Sequence, residues 1–192
     1  MLNRLLDIDT AILTPRTVTR RFREGEGALL YDTIQDNHSY LIDSFPKTIE
    51  ETSNKEKAEF YVRTKLAQWL LQQEYCFGIW DNESAKLIGS IRIFRVDWSV
   101  PKGELGFFID HQYGSKGIMS EVVVACLPFI FRQLQLERLY LRTATDNFAC
   151  QRLARKCGFR REGDLRADFK KFSGELVDVM IFGMTRAEFE KV

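Results

Sequence analysis

Residues 103–124 read GELGFFIDHQYGSKGIMSEVVV. The apolar run Leu105-Gly106-Phe107-Phe108-Ile109 has the look of a strand. Gly114 and Gly117 then bracket a serine and a lysine, and an apolar-periodic helix follows. A strand, a small-residue loop and a helix start leave free backbone N–H groups at the positive end of a helix dipole, which suits a pyrophosphate. The GxxxxGK[ST] and GxGxxG patterns are both missing, which disfavours nucleoside triphosphates and dinucleotides. Turn glycines before helices are common, so the flanking sequence has to decide what the loop is for.

Downstream, the helix is expected to run to about Leu134 with Val123, Leu127, Phe131 and Leu134 on one face. Pro128 should bend it, because the ring removes one backbone hydrogen bond. RLYLRT, residues 138–143, reads as a strand. DNFACQRLARKCGF, residues 146–159, is a bounded helix. Asp146 or Asn147 caps its start, Ala149, Cys150, Leu153, Ala154 and Cys157 form its inner stripe, and Gly158 suits its end. Two strands are expected at 159–168 and 175–184, turning at Ser173-Gly174. Upstream, residues 75–80 and 86–96 flank the polar turn Asp81-Asn82-Glu83-Ser84 as a hairpin. Residues 26–73 read as a helical pair with an acidic loop between, and Val18–Phe22 as a short strand. The resulting β-β-β-α-β-α-β-β order argues for a mixed α/β fold, and the length of 192 residues for one domain over 1–192.

Composition narrows the class. Hydrophobic content of 45% with 29% charged residues belongs to a globular chain rather than a disordered one. Asp7 and Asp9 interrupt the apolar start, no later apolar run reaches membrane-spanning length, and the chain reads as cytoplasmic. Cys76, Cys126, Cys150 and Cys157 show no CxxC spacing and read as reduced thiols. With only His38 and His111, no histidine-based metal site is expected. Residues 112–172 carry 12 Lys/Arg against 6 Asp/Glu, whereas the remainder carries 16 against 21. A basic half is either a solvated face or an attractor for a phosphate-bearing ligand.

Three ordered segments, GELGFFIDHQYGSKGIMSE, ATDNFACQRLARKCGFRREG and ELVDVMIFGMTRAEF, resemble the GNAT acetyltransferases, in particular the Rim-type ribosomal-protein N-terminal acetyltransferases. The resemblance runs from about Val18 to the end. It implies the GNAT fold, a mixed, mostly antiparallel central sheet flanked by helices, with acetyl-CoA as co-substrate and no metal. Gln112, Tyr113, Gly114, Ser115, Lys116 and Gly117 match the family loop whose amides hold the pyrophosphate, with Ile118 and Met119 opening the helix behind it. Ser115 stands where the first motif glycine usually lies, and Gly114 is the residue expected to supply the flexibility instead. Asn147 matches the asparagine that contacts the pantetheine arm. Phe108 and Ile109 would offer strand backbone groups to that arm.

Acetyl transfer needs a neutral amine, a stabilised oxyanion and a proton for the departing thiolate. Backbone amides at 107–109 are candidate oxyanion donors. The tyrosine that many relatives use as general acid is Ala154 here; Rim-type relatives place a serine three residues after the asparagine, and that position is Cys150. Cys150 is therefore the candidate acid, and equally a member of the apolar stripe. Glu104 and Asp168 are the candidate bases. Glu104 also reads as a charge opening the strand, and Phe169 competes with Asp168 for the matching position. An α-amine, with a pKa of about 7.7–8.0, needs less help than a lysine near 10.4.

The resemblance favours the N-terminal α-amine of a ribosomal protein as acceptor. A small amine such as a polyamine, amino sugar or amino acid is the second reading, and the acidic stretch 32–59 suits either. A non-catalytic acyl-CoA or nucleic-acid module is the third; the basic half lacks interleaved stacking aromatics, which disfavours nucleic acid. No membrane partner is expected, and the protein would act as a monomer or homodimer.

Overall fold

The structure, a computed structural model, describes residues 11–191. The interrupted apolar start around Asp7 and Asp9 lies outside the described residues. The elements run β1 (Ala11–Leu13), β2 (Thr17–Arg21), α1 (Gly27–Asp36), α2 (His38–Leu41), α3 (Pro46–Glu51) and α4 (Lys55–Leu70). There follow β3 (Tyr75–Asp81), β4 (Leu87–Asp97), β5 (Lys102–Ile109), α5 (Ile118–Pro128), β6 (Arg138–Ala144), α6 (Phe148–Lys156), β7 (Arg160–Lys170), β8 (Leu176–Thr185) and α7 (Arg186–Phe189). Eight strands form one sheet in the order β1-β2-β3-β4-β5-β6-β8-β7. Every neighbouring pair is antiparallel except β5 and β6.

Strand alternation divides the interior into two layers. Cys76, Trp80 and Phe108 point to the face covered by α1 and α4, where Phe22, Leu30, Ile34, Tyr61 and Val62 complete the packing. Phe77, Ile79, Ile91, Ile93, Leu105, Leu139 and Leu141 point to the opposite face, packed under α5, α6 and Trp69. Trp69 meets Tyr75 and Phe77 edge-on, with ring centroids 5.0 and 4.9 Å apart.

The region expected as a helical pair is four helices. Pro46 sits at the start of α3, where its missing N–H is no loss, and Asn54 caps α4 by accepting from the Lys57 amide at 2.8 Å. The Pro128 bend takes a specific form. Beyond Pro128 the helix widens into a π-helical turn, Phe129–Gln133, with the Leu134 amide bonded to the Phe129 carbonyl at 2.9 Å, so the helical path ends at Leu134 as expected. That wider turn buries Phe129, Ile130 and Phe131. The strand and hairpin expectations fall within two residues of the observed ends, and β1 is an additional strand.

Candidate active site

β5 and β6 pair in parallel at only three positions, Lys102 with Arg138, Gly103 with Leu139 and Glu104 with Tyr140. β5 continues to Ile109 and β6 to Ala144, so the strands part beyond Glu104 and Phe107, Phe108 and Ile109 have no ladder partner on the β6 side. An open cleft of about 2230 Å3 runs through this split and out between α3, α4 and β7. It is about twice the upper end of the roughly 300–1,000 Å3 of an ordinary ligand pocket, and so has room for two substrates.

One end of the cleft is the loop of residues 110–117. Asp110 caps a single 3-10 turn, His111–Tyr113, by accepting from the Gln112 amide at 2.8 Å. Gly114 then takes an ordinary extended conformation (φ −63°, ψ 155°), and the left-handed residues are Ser115 (φ +59°) and Gly117 (φ +77°). This corrects the expectation that Gly114 supplies the flexibility: Ser115 occupies the motif-glycine position and adopts the glycine-like backbone itself. A non-glycine residue held there costs on the order of 1–3 kcal/mol, strain of a kind that collects at ligand sites. Gly117 precedes α5, whose first residues Ile118 and Met119 are buried beneath the loop with Met119 on the cleft wall.

Cations converge on this end. The Lys156 ammonium, on α6, lies 3.7 Å from where a Cβ would stand on Gly117, and an Arg16 guanidinium nitrogen 3.9 Å away. Arg16 donates to the Lys116 carbonyl at 2.9 Å and pairs with Glu121 in the first turn of α5 at 2.6 Å, strapping the β1–β2 turn to the loop. Of the loop residues singled out from sequence, Tyr113, Gly114, Ser115 and Gly117 line the cleft, whereas the side chains of Gln112 and Lys116 are exposed and do not. Lys156, Arg152 and Arg16 were not among them. Arg152 and Lys156 stand four apart on one helix, a spacing that could have flagged them.

The cleft's middle is lined by α6 and β6. Asn147 caps α6 by accepting from the Cys150 amide at 3.0 Å, which fixes its oxygen, and the residue lines the cleft. Cys150 is half-buried on the cleft wall; burial pushes its thiol up, with a smaller opposing effect from the nearby Thr143 hydroxyl.

On the α1–α4 face, Glu104 is not at the strand's opening but inside β5, 5% exposed. Arg95 Nη1 donates to one of its oxygens at 2.8 Å and Arg142 Nε to the other at 3.0 Å. Burial pushes the Glu104 carboxyl up, while Arg95 and a Tyr140 hydrogen bond hold it down. Arg142 also donates to Asp168 Oδ2 at 2.6 Å, so Arg95, Glu104, Arg142 and Asp168, each on a different strand, form one alternating chain. Both ends of that chain are set by strand irregularities. Arg95 (φ +52°) sits where the β4 register shifts, and Ala167 (φ +50°), just before Asp168, where β7 does. Phe169 also lines the cleft. Among the described residues no group of three or more His, Cys, Asp or Glu side chains could hold a metal.

Residues 16–160 match the acetyltransferase (GNAT) domain family. The chain belongs to the GNAT acetyltransferases. It is 31% identical over 99 residues to the probable N-acetyltransferase YjcK of Bacillus subtilis, covering 51% of this chain and 55% of that one. The match to the uncharacterized prophage N-acetyltransferase YokL of Bacillus subtilis is 28% identical over 182 residues, 92% of this chain and 94% of its relative. The spermidine N(1)-acetyltransferase of Vibrio cholerae is 26% identical over 46% of this chain and 51% of its own. Among solved structures, the ribosomal-protein-S5-alanine acetyltransferase of Vibrio fischeri superposes with a TM-score of 0.87 at 17% identity, covering 94% of this chain and 99% of that chain. RimJ of Mycobacterium smegmatis in complex with CoA-disulfide does so with a TM-score of 0.83 at 17% identity, covering 94% and 89%. These similarities establish the shared GNAT fold.

Proposed function

We propose that this protein is a cytoplasmic, single-domain N-acetyltransferase that moves an acetyl group from acetyl-CoA to a primary amine, most favourably a protein N-terminal α-amine. The observation that carries the reading is the β5–β6 split meeting the Ser115–Gly117 turn, with Lys156 and Arg16 at its end. The residues present fit the cofactor. Successive amides in and after two left-handed residues make an anion nest, the cations match a pyrophosphate, and the unpaired edge of β5 matches an amide-bearing arm. Acetyl-CoA supplies the activated thioester; the chain supplies binding, orientation and proton handling.

The residues then take distinct roles. Asn147, its oxygen fixed by the helix cap, presents Nδ2 to the pantetheine arm. The Asp110 amide donates to Ile88 on β4, so by strand alternation the Phe107 and Ile109 amides are the ones on the open edge of β5, where they face the reacting carbonyl and stabilise the charge that develops there. Glu104 has both oxygens committed to arginines and positions Arg142. Asp168 has one oxygen on Arg142 and keeps Oδ1 to receive the amine's proton. The Cys150 thiol, held up by burial, is protonated at neutral pH and donates to the departing thiolate.

The structural likeness to a ribosomal-protein-S5-alanine acetyltransferase supports a protein N-terminus as acceptor. A small-amine acceptor is the second reading, supported by the spermidine acetyltransferase relative and by Asp43, Glu50 and Glu51 on the cleft rim. Thiol release from acetyl-CoA, measured side by side with N-terminal peptides, polyamines and amino sugars, tests the two. The N-terminal peptides are expected to give the highest kcat/KM; release with spermidine alone would replace this reading with the second, and release with none would remove the acetyltransferase assignment.

A further inference from the structure

Two buried side-chain polar atoms among the described residues have no hydrogen-bond partner, Thr19 Oγ1 and Thr143 Oγ1. Thr19 is fully buried in β2, away from the cleft. Thr143 is 6% exposed and lines the cleft. A buried hydroxyl without a partner is costly, and a valine of the same shape would avoid that cost. A partner that arrives with the substrate accounts for the hydroxyl.

Its position says which substrate atom that is. Arg142 and Thr143 are consecutive in β6 and point to opposite faces of the sheet. Arg142 lies with Glu104 and Asp168 on the acceptor side, so the amine approaches from there. Thr143 shares the other face with Leu141 and neighbours Cys150; its hydroxyl is near enough to the thiol to hold it down by weak hydrogen bonding, yet falls short of the geometry of a full hydrogen bond. Cys150, the acid of the reading above, must reach the departing sulfur, so the sulfur lies beside Thr143 as well.

We propose that the Thr143 hydroxyl is a catalytic residue whose hydrogen bond goes to the thioester sulfur and strengthens as that sulfur becomes thiolate. This rests on the acetyl-CoA reading above. In the step, the amine nitrogen bonds to the carbonyl carbon and its surplus proton passes to Asp168. The C–S bond breaks with its electron pair on sulfur, and Cys150 supplies the proton that yields free CoA before regaining one from solvent. Thr143 keeps its proton throughout; it holds the sulfur and lowers the barrier to its departure.

The test is calorimetric titration of the full chain, and of T143V and T143S, with CoA and with desulfo-CoA, alongside steady-state kinetics. Wild type should bind CoA at least about fivefold more tightly than desulfo-CoA. T143V should bind the two equally, at the wild-type desulfo-CoA affinity, and T143S should keep the preference. T143V should lose about tenfold or more in kcat, with the amine KM unchanged and a melting temperature equal to or above wild type. A retained CoA preference in T143V, or no preference in wild type, overturns the sulfur contact while leaving the acetyl-CoA site intact. Binding of neither ligand by wild type overturns the acetyl-CoA reading, and this proposal with it.

Discussion

Arg142 donates from Nε to Glu104 at 3.0 Å while its Nη1 holds Asp168 at 2.6 Å, so one guanidinium orients both carboxylates that sequence put forward as bases. The two are not equivalent. Glu104 is buried with both oxygens committed, whereas Asp168 is partly exposed with one oxygen free. Glu104→Ala leaves Arg95 free to reach solvent and Arg142 still paired with Asp168, so the loss is of two charge-assisted hydrogen bonds and should cost about 1–3 kcal/mol of stability in urea unfolding. Asp168→Asn should leave stability within about 1 kcal/mol and lower kcat by roughly 10²-fold. The reverse pattern would exchange their roles.

Gly117→Glu should abolish acetyl-CoA binding with the circular dichroism spectrum unchanged. The position has φ +77°, and the new carboxylate would project toward the space shared with Lys156 and Arg16. Undiminished affinity in calorimetry would remove this loop as the pyrophosphate site.

Lys156 is exposed, so its attraction to a pyrophosphate is partly screened. Lys156→Ala should weaken acetyl-CoA by about 1 kcal/mol, roughly fivefold, and the difference should shrink as salt is raised from 50 to 500 mM. A salt-independent loss would indicate packing rather than charge.

Cys150→Ser should keep most activity, and Cys150→Ala should lose on the order of 10²–10⁴ in kcat. Cys150 also packs beside the core under α6. An alanine variant with normal turnover and a lower melting temperature would make it a packing residue alone.

Glu59 ties α4 to the turn before α1, accepting from the Gly25 amide at 2.9 Å and the Gly27 amide at 3.0 Å. Those bonds, the Gly25 one foremost, and Arg63 hold its carboxyl below the ordinary value of 4.5. A depressed folded pKa stabilises above the unfolded pKa, and that stability is lost as pH falls through the folded value. Glu59→Gln should therefore cost about 1–2 kcal/mol at pH 7 and progressively less below pH 4.5 in acid titrations of stability. An equal cost at pH 7 and pH 3 would contradict this.

The locally encoded parts of this fold were legible in sequence. Asn147 capping α6, the Asp81–Ser84 turn and the strand-loop-helix at 103–124 each depend on residues a few positions apart. The charge chain was not, because Arg95, Glu104, Arg142 and Asp168 come together only when five strands, β4, β5, β6, β8 and β7, pair in that order, and two of them are aimed by register shifts that carry no composition signal. The left-handed Ser115 was hidden for a related reason: Gly114 beside it is the better intrinsic candidate, and the 3-10 turn capped by Asp110 sets the backbone path instead. Lys156 reaches Gly117 only through the docking of α6 beside α5.

The acceptor assignment is tested most directly by mass mapping of a peptide that carries both a free α-amine and an internal lysine, after incubation with the protein and acetyl-CoA. The account predicts one acetyl group per peptide, on the α-amine, released in step with one equivalent of free CoA thiol. Acetyl groups found only on the lysine side chain, or thiol release with no acetylated peptide, would contradict it.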